Sequence, residues 1–148
     1  MPNTHQKHLG TFLHLSIFSR YFIPFGNFIG PLIFWLLHKK KSEFLDAHGK
    51  QAINFQISIT LYILFIGSLT LLLLAYNLIA GLEGFTPENW QQFLETVTMP
   101  VYVIYTLSIL GILLITGFIL EFIFIIKAAL AARNGNIYNY PLTINFLK

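Results

Sequence analysis

Glu121 is the residue whose placement most invites chemistry. It stands inside the apolar run MPVYVIYTLSILGILLITGFILEFIFIIKAALAA, residues 99–132. An ionisable group deep in a lipid-crossing helix is costly and marks a functional candidate. As a carboxylate it can bind a cation or pass a proton. As a neutral carboxyl, favoured by loss of water, it can bond a neighbouring helix. Gly117 and Ala128 share its face and let another helix come close. Lys127 falls on a different face and snorkels toward the cytoplasmic interface.

A second constellation lies in FLDAHGKQAINFQISITLYILF, residues 44–65. Gln51, Asn54, Ser58 and Tyr62 recur at i, i+3, i+7 and i+11 and form a stripe on one helix face, while Gln56 points elsewhere. Such a stripe is either a seam for a ligand, ion or partner helix, or hydrogen-bonding glue between helices at ~0.6 kcal/mol a pair. Asp46 and His48 fall just before the expected helix, in the place of a cap and an interface anchor. His14 lies on an apolar helix and reads as an interior histidine bonded to the stripe. His5 and His8 stand at a terminus expected to fray. His14, Asp46, His48 and Glu121 follow no metal-ligand spacing, so neither a metal nor a cofactor is expected.

Other chemistry is excluded by absence. The chain has no cysteine, which removes disulfides, thiol nucleophiles and Cys-ligated metal centres. It has no G-x-S-x-G, P-loop, dinucleotide glycine fingerprint or H-E-x-x-H, so it does not read as an enzyme. No basic run with interleaved aromatics points to nucleic acid.

The elements that must position these residues are membrane elements. Of 148 residues, 55% are hydrophobic and 10% charged, whereas soluble domains carry about 25% charged residues. The reading is an all-α membrane protein forming a single polytopic domain over 1–148. Two long transmembrane helices are expected, at 50–80 and 99–133, with Pro100 in the first turn of the second and Gly135 as its left-handed cap. Residues 8–39 are apolar but broken by Arg20, Pro24, Gly26, Asn27, Gly30 and Pro31. Two short helices near 8–21 and 28–39 are expected there, forming a re-entrant hairpin rather than one straight span. Between the long helices, Thr86 and Pro87 open a short amphipathic surface helix, 86–97, with Trp90, Phe93, Leu94 and Val97 on one face. Residues 134–148 read as an interfacial tail, with Tyr138 and Tyr140 as aromatic anchors.

Charge sets the orientation. Lys39, Lys40, Lys41 and Lys50 mark the 38–50 loop, and Lys127, Arg133 and Lys148 mark the C-terminal end. The 81–99 linker carries Glu83, Glu88 and Glu95 and no Lys or Arg. The positive-inside rule places both chain ends in the cytoplasm and the linker outside, in a multi-pass bacterial inner-membrane protein. Its partners are then the lipid bilayer, other membrane proteins or a second copy of itself.

The order His14-Leu15-Ser16, IPFGNFIGPLIFWLL at 23–37, DAHGKQAINFQISI at 46–59 and GNIYNYPLTINFLK at 135–148 resembles the Tic-twenty-like family of small bacterial membrane proteins. That family is related by fold to the channel-type subunit of the chloroplast Tic translocon. The resemblance implies a compact helical membrane domain and a non-enzymatic scaffold, assembly or translocation-associated role exerted through helix contacts. The alternative is a small channel or transporter for protons, ions or small solutes, using Glu121 and the Gln51/Asn54/Ser58 stripe.

Overall fold

The computed structural model describes residues 2–83, 85–98 and 101–148, and all regular structure among them is helical. Helix α1 (Thr4–Leu15) begins on a reciprocal cap. The Asn3 side chain accepts from the Gln6 amide at 2.8 Å, and the Gln6 side chain accepts from the Asn3 amide at 3.0 Å. This cap orders the stretch carrying His5 and His8, which the sequence reading left frayed. After Leu15 the chain tightens into a 3₁₀ segment, Ser16–Tyr21, and turns through Phe22–Phe25.

Helix α2 (Gly26–His38) follows, and it contains Pro31. The break therefore falls at residues 22–25 rather than across 24–31. One proline near a helix start forfeits a single bond, and the turn instead uses Phe25 at φ 58°. Two glycines seat α2. A Cβ on Gly26 would strike the Ser19 backbone, and one on Gly30 the Ser16 carbonyl. The G-x-x-x-G spacing thus permits backbone contact between α2 and the 3₁₀ segment. Ser19 Oγ donates to the Gly26 carbonyl at 2.6 Å across the same contact.

A short 3₁₀ turn, Lys39–Lys41, leads into α3 (Glu43–Glu83). This helix starts well before residue 50, the expected position. Its charged opening is not a linker: Glu43 and Asp46 occupy the first turns, where carboxylates offset the helix dipole. Asp46 and His48 are therefore helical residues. At 41 residues α3 is about 60 Å long, twice the hydrocarbon thickness of a bilayer. After α3, Thr86 caps a 3₁₀ turn (Pro87–Asn89) that runs into α4 (Trp90–Thr98). Pro100 and the Val97 side chain lie outside the described residues. Helix α5 (Val101–Asn134) ends at Gly135, whose φ of +85° is the left-handed conformation expected of it.

The chain divides into two compact units. The first comprises residues 1–61 and 119–148. Its core holds Leu13, Ile17, Ala52, Phe55, Ile125, Ala128 and Tyr140. The second comprises residues 62–118, with the rest of α3, all of α4 and the first half of α5. Here large apolar side chains such as Leu71, Leu72, Ile112 and Leu113 are more than half exposed. The stretches Glu43–Ala80 and Val103–Asn134 are long and apolar enough to cross a membrane. Exposed apolar faces of that extent suit a membrane or a partner surface.

Candidate functional site

The polar residues singled out by sequence form three hydrogen-bonded groups, all within the first unit except Tyr62.

The first group joins α1, α3 and the C-terminal tail. His14 and His48 are fully buried, with His14 Nε2 2.8 Å from His48 Nδ1. The Tyr140 hydroxyl lies 2.9 Å from His14 Nδ1, and its ring stacks on Phe55 at 4.2 Å. Burial, with His48 as a lesser contributor, holds the His14 pKa well below its ordinary 6.5, so the ring is neutral. Burial above all, then Tyr138 and Glu121, pushes the Tyr140 hydroxyl upward, and it stays protonated. His14 was expected to bond the α3 stripe; its partners are His48 and Tyr140 instead. Tyr140, read as an interfacial anchor, is a core residue.

The second group surrounds Glu121. Arg20 Nη1 donates to Glu121 Oε1 at 2.6 Å, and Gln56 Nε2 donates to the same oxygen at 3.2 Å. Asn27 Nδ2 in turn donates to Gln56 Oε1 at 2.9 Å. The carboxylate is nearly buried, and its ion pair ties the 3₁₀ segment to α5. A buried carboxylate held this way needs its cation, because an unpaired charge there is severely unfavourable. Neither Arg20 nor Gln56 was singled out. Arg20 had been counted only among the helix-breaking residues, and Gln56 falls off the stripe. The usable signal was that Glu121 needs a partner and that Arg20 is a cation set within the apolar 9–38 stretch.

The third group is the stripe. Asn54 makes a paired contact with one residue of the tail: its Oδ1 accepts from the Leu147 amide at 2.9 Å, and its Nδ2 donates to the Leu147 carbonyl at 3.0 Å. Ser58 Oγ accepts from the Ile144 amide at 2.9 Å. Gln51 Nε2 donates to Asn139 Oδ1 at 3.1 Å. Three of the four predicted stripe residues thus face one object, the extended C-terminal segment. The fourth, Tyr62, belongs to the second unit. Asp46 accepts from Trp35 Nε1 at 2.8 Å and pairs with Lys50 one turn on. Trp35 also lies against Gly49, where a Cβ would strike its ring, and carries Lys39 4.8 Å above it.

The arrangement joins segments distant in sequence through charge and amide contacts. Among the described residues, no group of three His, Asp or Glu side chains is placed to hold a metal ion. Residues 5–147 match the profile of the MamF/MmsF family, described as the magnetosome magnetite crystal formation protein family. The chain belongs to that family.

Membership in the MamF/MmsF family corrects the resemblance drawn from the sequence. The stretches at 23–37, 46–59 and 135–147 lie within the MamF/MmsF match, so the Tic-twenty-like reading and its link to protein translocation fall. The confusion has a physical source: short apolar helices broken by Gly and Pro, followed by an amide-bearing long helix, suit any compact helical membrane domain. The family description concerns crystal formation and names no enzymatic reaction. No match was found among curated proteins or solved structures.

Proposed function

We propose that the chain is a non-enzymatic membrane scaffold in magnetite crystal formation, acting through a rigid first unit and a lipid-solvated second unit. The observation that carries this reading is the Arg20–Glu121–Gln56–Asn27 network. The carboxylate that stood out as a transport candidate accepts two donors and serves as a strut between segments. A carrier carboxylate must exchange its partners during each cycle, whereas a strut keeps them.

The segment from the 3₁₀ turn through α2 lies in the cytoplasmic leaflet as a re-entrant element. Phe22 and Phe25 at its tip are 87% and 75% exposed, and Ile33 and Leu36 continue the apolar face toward Trp35 and the Lys39–Lys41 cluster. At 13 residues α2 is about 20 Å long, too short to cross alone. Both chain ends are cytoplasmic. The acidic 81–99 linker, with α4 as an amphipathic surface helix, faces the opposite compartment. In a magnetosome membrane that compartment is the lumen.

Complementation in a magnetite-forming bacterium lacking its own family member tests the reading. Glu121→Gln keeps an oxygen for Arg20 and Gln56 and is expected to restore crystal size. Gly30→Leu, which breaks the first unit, is expected to fail. Failure of Glu121→Gln in a protein that still reaches the membrane would favour the channel or transporter reading instead.

A further inference from the structure

The His14–His48–Tyr140 group is more than a set of satisfied core residues, because its hydrogen bonds do not close. His48 Nε2 is buried and has no hydrogen-bond partner among the described residues. It is walled by the Phe44 ring, whose centroid lies 4.3 Å from that of His48, and by the backbone of Gly10, where an added Cβ would lie 3.7 Å from the imidazole. A three-member chain of exchangeable protons therefore runs from the tail through α1 to a bare end on α3.

We propose that His14, His48 and Tyr140 form a single buried proton-binding site whose occupancy releases the C-terminal tail from α3. Two neutral arrangements exist. In one, the Tyr140 hydroxyl donates to His14 Nδ1, His14 Nε2–H donates to His48 Nδ1, and His48 Nε2–H ends the chain. In the other every bond is reversed, and His48 Nε2 presents a bare lone pair. One proton from water fills that lone pair without breaking a bond between heavy atoms. The chain is then locked in the reversed sense. His48 Nδ1–H donates to His14 Nε2, His14 Nδ1–H donates to Tyr140 Oη, and the tyrosine proton loses its acceptor at a buried site. A cation now sits against Phe44, and a hydroxyl hydrogen is unsatisfied. Lifting the tail relieves the second, because it frees Tyr140 and opens the His14 Nδ1 end of the chain to water.

The surrounding groups fit this direction. The tail contributes Tyr138 and Tyr140, and α5 contributes Glu121, whose charge is already held by Arg20. On α3, Asp46 and Lys50 pair with each other, and on α2 Trp35 lies against Gly49, beside His48. With the tail docked, His14 is held neutral by burial; with the tail released it returns toward its ordinary 6.5. The released state therefore binds the extra proton, and release is favoured as pH falls below that value. A one-proton linkage changes the ratio of docked to released tail by up to about tenfold per pH unit.

The full chain in lipid nanodiscs provides the test, since it has no cysteine and accepts a single label at Phe146→Cys. A spin label there is expected to be immobile at about pH 8 and mobile at about pH 5, with helical circular dichroism unchanged. In Tyr140→Phe, which keeps both imidazoles but cuts the link, label mobility is expected to be the same at both pH values. The double variant His14→Gln/His48→Asn is expected to be equally indifferent to pH. Three results would overturn the proposal: a wild-type label that stays immobile to about pH 4.5, a label freed only together with loss of helix, or a Tyr140→Phe chain that keeps the wild-type response.

Discussion

One helix runs through two different surroundings. In the part of α3 before residue 62, polar side chains reach other segments: Asn54 to Leu147, Gln56 to Glu121, Ser58 to Ile144. In the part after it, Ser68 and Thr70 turn back on their own helix. Ser68 donates to the Phe65 carbonyl and Thr70 to Ile66, each about one turn away. Hydrocarbon offers no partners, so a polar group there borrows a backbone carbonyl. A packed interior offers specific partners, and the same residue types then hold tertiary structure. The comparison teaches that residue type alone does not tell glue from filler in a membrane helix; the reach of each bond does.

The contrast can be broken most severely at the close helix contacts. Gly30→Leu forces a side chain into the Ser16 carbonyl and is expected to cost the first unit more than about 4 kcal/mol. It would be seen as loss of cooperative thermal unfolding in mild detergent. Arg20→Ala comes next. It leaves Glu121 buried without its cation, an expected loss of about 3 kcal/mol that Glu121→Gln in the same chain should partly recover. Leu13→Ala and Leu72→Ala then set the two regions side by side. Leu13 is wholly buried and Leu72 is 66% exposed. The first is expected to cost about 2–5 kcal/mol and the second under about 0.5, read from unfolding in one lipid composition. Equal losses would mean that residues 62–80 pack against protein rather than lipid. Asn54→Ala is expected to cost about 2 kcal/mol, from two part-buried main-chain contacts left open. It should appear as faster proteolysis of the tail before any change in melting temperature.

What the sequence made legible follows the same division. The candidate membrane-spanning stretches of α3 and α5 were plain from composition, because nothing but apolar length is asked of them. The sequence also singled out the stripe Gln51–Asn54–Ser58–Tyr62, Glu121, His14 and His48, and the structure brings three of the stripe residues to the C-terminal segment. Their partners were not legible. Helical spacing shows which residues share a face but not what lies opposite. Gln56 falls off the stripe, and α3 uses one face for the tail and another for α5 and α2. Arg20 was hidden among glycines and prolines that announce a turn. Tyr140 carried the composition of an interfacial anchor, and only the return of the chain after Gly135 buries it. The early start of α3 was missed because charge next to an apolar run reads as loop, when acidic residues there suit a helix N-terminus.

The pairing of Asn54 with Leu147 has one more consequence. Its two bonds touch only the amide and carbonyl of that residue, never the isobutyl group. These two bonds do not themselves select the side chain at position 147, and Leu147→Pro, which deletes the N–H, is the exchange they cannot absorb. Grip here depends on spacing along the strand of chain, not on its spelling.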